Sequence, residues 1–245
     1  MKEVPWNGKD VCILYAAWLF LSISGVVLAL ALLGKPGEKH TATTEHLVFQ
    51  LIQQGWKEPS VLFIALVSSV IVAPFAEEFL FRSIFQGYLT KKWSAALSVF
   101  TVSAVFGLMH AGSRTSQTAE NLSAVLTGMS VGNLLFLCFA LLYLFFIVKA
   151  TPQDIGFGCR WTKKQFAADT FLALEVFCCC CPFILTLTAV LRLMFPNTVI
   201  DPIPLFLFSL VLGMLYQKTH RLLPCILLHT FLNGFSFTVA LIFCR

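Results

Sequence analysis

Charge is what this chain has least of. Its 245 residues include 17 Lys and Arg and 12 Asp and Glu, 12% of the total, against about a quarter in an average soluble domain. The apolar runs leave no polar stretch long enough to build a soluble domain. There is no solenoid-period repeat and no low-complexity tail, which sets aside repeat arrays and disordered modules. No HExxH pair occurs, and the cysteines do not supply the two ligand pairs of a zinc finger. What fills the sequence instead is apolar: 58% of the residues are hydrophobic and the mean hydropathy is +0.84.

That composition specifies an all-α polytopic membrane protein. A hydrocarbon core of about 30 Å takes about 20 apolar residues to cross as a helix. Runs of this kind lie at 11–33, 59–75, 93–110, 123–149, 170–195, 203–217 and 222–243. They predict about seven transmembrane helices, with six to eight as the range, in one integral membrane domain covering 1–245. The first run is too long for a signal-peptide core and lacks a small-residue cleavage site, so it reads as a retained helix. Between the first two runs, EHLVFQLIQQGW reads as a short helix lying on the membrane surface.

Basic residues give the orientation, because their excess in short loops marks the cytoplasmic side. With the N-terminus inside, the inner segments carry Lys2, Lys9, Lys91, Lys92, Lys149, Arg160, Lys163, Lys164, Lys218 and Arg221, and the outer ones Lys35, Lys39, Lys57, Arg114 and Arg245. This predicts a cytoplasmic N-terminus and an external C-terminus. The net charge of +5 is then inner-loop basicity facing anionic lipid, with no nucleic acid required. The cysteines fall mostly inside apolar runs. Cys178 to Cys181 are consecutive, and consecutive helical residues point about 100° apart, so they read as small apolar filler rather than a metal cluster or lipidation site. Gly128 and Gly132 in GMSVG have the spacing that lets two helices approach closely, for packing within the chain or for dimerisation.

Against this background the stretch APFAEEFLFR stands out. Glu77, Glu78 and Arg82 are costly inside a bilayer, and ionisable groups there tend to mark function. Pro74 lacks an N–H and disfavours helix for the residue before it, so a kink is expected there, with fresh helix running through Glu77 to about Leu89. Glu78 and Arg82 are four apart and share a helix face, so they can pair. Glu77 projects about 100° away and is left as a candidate general base. Two other runs add polar edges: FGLMH sets Phe106 four residues before His110, and HTFLN sets His229 four before Asn233. In lipid such edges turn inward and meet. Each histidine alone is more often a hydrogen-bonded packing residue than a catalyst; the convergence of the set favours chemistry. Asp169, Glu175 and Arg192 lie nearer span ends, where they can snorkel or pair, and carry no assigned chemistry.

A carboxylate and an imidazole can deprotonate a water held between them, while an amide and a second imidazole can stabilise an oxyanion; together these describe hydrolysis of an amide bond. Glu and two His could also hold a zinc ion with an open position, which remains the alternative. A proton-coupled transporter would use the same residue types, but no inverted repeat or pair of broken helices accompanies them.

The ordered set EE-xxx-R, F-xxx-H and H-xxx-N resembles the three motifs of the CPBP family, which comprises type II CAAX prenyl endopeptidases and bacteriocin-processing (Abi) membrane proteins, over a motif-bearing core at 71–234. The resemblance implies an intramembrane helical bundle with a cavity opening to the cytosol. It implies removal of the last three residues of a prenylated protein by a glutamate-dependent mechanism, without a required metal. By resemblance, Glu77 and His110 would activate water, His229 and Asn233 would form the oxyanion site, and Glu78, Arg82 and Phe106 would shape and hold the cavity. Ser83 stands where the family often has glycine. The partners implied are membrane lipid and a lipidated protein or peptide. The alternative is a non-catalytic immunity or accessory protein that uses the polar cavity to bind a peptide tail.

Overall fold

The computed structural model describes residues 4–33, 59–110, 119–158, 162–195 and 202–243. Among them are seven helices and no strand. They are α1 (Gly8–Leu33), α2 (Pro59–Leu89), α3 (Ala95–Met109), α4 (Ala119–Leu142, continued by a turn at Tyr143–Ile147), α5 (Lys163–Met194), α6 (Pro202–Thr219) and α7 (Leu222–Phe243). Each falls on one of the apolar runs. α1, α2, α4, α5 and α7 are long and apolar enough to cross a membrane, and α3 is a shorter apolar helix. The protein is an integral multi-pass membrane protein. The proposed surface helix in EHLVFQLIQQGW lies outside the described residues.

The chain forms two compact units. One comprises Met1–Val11, Glu77–Arg114 and Leu144–Leu232, and the other Cys12–Ala76, Thr115–Tyr143 and Asn233–Arg245. The second is built on close approach of α1 and α4. A Cβ placed on Gly128 would lie 2.5 Å from the Gly25 carbonyl oxygen and 2.6 Å from Val26 Cα, and one on Gly132 would lie 2.6 Å from the Leu21 carbonyl oxygen. The GMSVG spacing therefore packs two helices of the same chain. Trp18 Nε1 donates to Asn133 Oδ1 across that seam at 3.2 Å. Beside it, Val61, Ala65 and Phe237 form a small buried cluster flanked by Leu62, Val70, Leu126 and Leu241. Gly128→Ala has no room for its methyl group. Overpacking of this kind costs about 1–3 kcal/mol, so thermal unfolding in detergent should occur at lower temperature for Gly128→Ala. Gly158→Ala, where nothing lies within 4 Å, should melt like the parent.

In the first unit, α3 and α6 lie side by side. A Cβ on Gly107 would sit 2.9 Å from the Pro202 carbonyl oxygen, so glycine sets their separation. The N-terminal segment is drawn into this unit. Trp6 is fully buried, its Nε1 donates to the Ile84 carbonyl at 3.2 Å, and Lys91 Nζ donates to the Trp6 carbonyl at 2.9 Å. Buried Asp169 on α5 pairs with Arg221, in the turn between α6 and α7. It therefore satisfies its charge by pairing and not by reaching out to water.

Helix runs through Pro74 and on to Leu89, the end expected from the sequence, in one stretch from Pro59. Two stretches, Val67–Val72 and Phe79–Gln86, adopt the wider π-helical register. The first ends immediately before the Ala73–Pro74 pair. Local widening, with i→i+5 bonds, is an alternative to breaking the helix where a proline removes a donor. The second stretch holds Arg82, and π-helical turns within α-helices occur often at functional sites.

Candidate active site

Six of the seven residues singled out by the motifs lie in the first unit: Glu77, Glu78, Arg82, Phe106, His110 and His229. The two glutamates are adjacent, and their surroundings are opposite in kind. Glu78 is sealed, with no exposed side-chain surface, and its Oε2 accepts from Arg82 Nε at 3.0 Å. Its Oε1 accepts from His229 Nδ1 at 2.9 Å. The i,i+4 pairing expected from the sequence is present. Arg82 also donates through Nη2 to Ser209 Oγ on α6 at 2.7 Å, so one guanidinium ties α2 to α6 and, through Glu78, to α7. Gly213 lets the α6 backbone approach: a Cβ there would lie 2.8 Å from Val99 Cγ1 and 3.4 Å from Arg82 Nη1. One turn after Arg82, Gln86 Nε2 donates to the Gly213 carbonyl at 2.9 Å.

Glu77 is outside that sealed network. Its side chain keeps 21% exposure, and its Oε2 lies 3.9 Å from His229 Nε2. This separation is beyond a direct hydrogen bond. The two carboxylates are thus divided into one committed to buried partners and one turned toward an imidazole with access remaining.

Hydrogen-bond partners fix which ring nitrogen of each histidine carries hydrogen. His110, which caps the C-terminal end of α3, places Nδ1 2.8 Å from the Phe106 carbonyl oxygen. A carbonyl only accepts, so Nδ1 carries the hydrogen. His229 Nδ1 donates to a carboxylate, an arrangement that orients the ring. Phe106 sits between the two rings. Its centroid is 4.6 Å from that of His110 and 6.1 Å from that of His229, and the Arg82 guanidinium carbon lies 5.9 Å from it. Phe208 packs edge-on to His229 at 5.4 Å.

Asn233 lies one turn beyond His229 on α7 and belongs to the second unit. There its Nδ2 donates to the Ser69 carbonyl at 2.8 Å. Ser209 and Gln86 were not marked by the motifs. Their sequence signal is faint: Ser209 is a hydroxyl in the otherwise apolar PIPLFLFSLVLG, and Gln86 stands one helical turn after Arg82. Among the described residues, no three His, Cys, Asp or Glu side chains converge as a metal-binding group. The run Cys178 to Cys181 is spread around α5, with Cys178 and Cys179 exposed and Cys181 buried, as consecutive helical positions require.

The ordered glutamate, histidine and asparagine motifs are matched by a family model. The model described as type II CAAX prenyl endopeptidase Rce1-like covers residues 59–235, well over half of the chain. The protein belongs to the Rce1-like family. The match begins at the first residue of α2 and ends two residues after Asn233, so it contains every motif residue. α1 and the buried Trp6 of this Rce1-like protein lie outside it. No curated protein and no solved structure matches the chain.

Proposed function

We propose that this Rce1-like protein is an intramembrane endopeptidase that hydrolyses a peptide bond near the prenylated C-terminus of a membrane-anchored protein, using Glu77 as the base. The observation that carries the reading is the division of the glutamate pair: Glu78 is held by Arg82 and His229, while Glu77 stays partly exposed with an imidazole 3.9 Å away. Glu77 takes a proton from the attacking water, assisted by His110. Attack on the scissile carbonyl puts negative charge on its oxygen. His229, held by Glu78, stabilises that oxyanion, and the motif resemblance assigns Asn233 as the second donor. Collapse of the tetrahedral species expels the amine, which takes up the proton held by Glu77. Glu78 and Arg82 position His229 and do not touch substrate. The orientation implied by the basic loops, with the N-terminus cytoplasmic, places Lys91, Lys92, Lys163, Lys164 and Lys218 at anionic lipid, where prenylated substrates reside.

A metal-free mechanism has a direct test. Cleavage of a prenylated peptide by the purified protein should persist in a strong chelator and should not rise with added zinc. Zinc hydrolysis by Glu77, His110 and His229 would instead give loss on chelation, recovery on zinc, and about one metal per chain.

A further inference from the structure

The bond between Asn233 and Ser69 has a cause in the helix that accepts it. Within Val67–Val72 the register is i→i+5, and Ala73 N–H reaches back to the Ser68 carbonyl. The next pair in that series would join the Ser69 carbonyl to the N–H of residue 74. Residue 74 is proline and has none. An unpaired carbonyl in a membrane span has no water to turn to. The Asn233 amide supplies the missing donor at 2.8 Å. Since the facing group is a carbonyl, the amide's nitrogen end must be the one that points at it. The Ser69 hydroxyl is occupied elsewhere, on the Ala65 carbonyl at 2.6 Å. Close packing brings the two helices together here: a Cβ on Gly234 would meet Val70 Cγ1 at 3.5 Å, and one turn further on Phe237 packs with Val61 and Ala65.

We infer that Pro74, by withholding its N–H, turns the Ser69 carbonyl into a mount for the Asn233 amide and so is a positioning residue for that side chain. An amide nitrogen carries two hydrogens. One is spent on Ser69, which fixes the plane of the amide and leaves the other on a group that no longer rotates. A donor fixed in advance stabilises developing charge without reorganising during the reaction. The mount itself stands on the hydrogen-bond pattern; only its catalytic consequence rests on the endopeptidase reading given above.

The experiment is a cycle of Asn233→Ala, Pro74→Ala and the double variant, followed by thermal unfolding in detergent and by cleavage of a prenylated peptide. Pro74→Ala gives residue 74 an N–H that can satisfy Ser69. Asn233→Ala alone should lower the melting temperature by about 3 °C or more, and in the Pro74→Ala background the same change should cost almost nothing. Where Asn233→Ala alone fails to fold, the double variant should be recoverable. An equal loss in both backgrounds, or no rescue, overturns the mount. In the assay, Pro74→Ala with Asn233 intact should lose kcat by about 10-fold or more while KM holds, since misplacing a catalytic group costs rate. Unchanged kcat with a coupled melting cycle would overturn the positioning role. If the parent cleaves nothing, the endopeptidase reading fails, and the melting cycle still decides the mount.

Discussion

Protein carrying Glu77→Gln is expected to fold like the parent and to cleave peptide about 10²–10⁴-fold more slowly, the range that a general base contributes. The change keeps size and shape but replaces an oxygen that can take a proton by an amide that cannot. Folding should survive because the side chain is 21% exposed and His229 Nε2, at 3.9 Å, is too far for a direct hydrogen bond. The buried network of Glu78, Arg82 and Ser209 is untouched by it. Steady-state cleavage beside a thermal melt checks both halves of the expectation. Near-normal turnover in a well-folded Glu77→Gln protein would remove Glu77 from the chemistry.

Arg82→Ala should have the opposite signature, a large loss of stability. Arg82 and Glu78 are both without exposed side-chain surface, and Arg82 is the cation paired with Glu78. Removing one member of a buried ion pair costs about 3–5 kcal/mol, because here the Glu78 charge is left desolvated with His229 Nδ1 as its remaining named partner. The Ser209 hydroxyl loses its donor at the same time. A drop in melting temperature of roughly 10 °C is expected, or failure to accumulate as folded protein. Removing both charges, as in Glu78→Leu with Arg82→Met, should be less damaging than removing Arg82 alone, since no orphan charge remains. Arg82→Ala melting with the parent would mean that the pair does not hold the site together.

The helices were legible from the sequence because crossing a membrane imposes a length and a composition, and every apolar run became a helix. The Glu78–Arg82 contact was legible for an equally local reason, four residues on one helix. So was the closeness of Phe106 and His110, four apart on one face, whose tilted rings lie 4.6 Å centroid to centroid. What could not be read were pairings set by the packing of distant segments. His229 and Glu78 are 151 residues apart in the chain, and nothing in HTFLN says which of two adjacent glutamates its histidine will engage. Ser209 and the buried Trp6 are likewise decided by which helix lies beside which. Pro74 signalled a missing donor, but nothing in the sequence said how the helix would accommodate it. Val67–Val72 absorbs the proline in a π-helical turn, and an amide from α7 takes the carbonyl left over.

The most direct measurement is mass spectrometry of a farnesylated peptide ending in a CAAX sequence, incubated with the purified protein in detergent or nanodiscs. An endopeptidase using Glu77 releases the C-terminal tripeptide and leaves a new carboxyl group on the prenylated cysteine, in amounts that grow with time and vanish with Glu77→Gln. Peptide that binds the protein and is recovered intact would contradict that account and would identify the site as one for holding a lipidated tail.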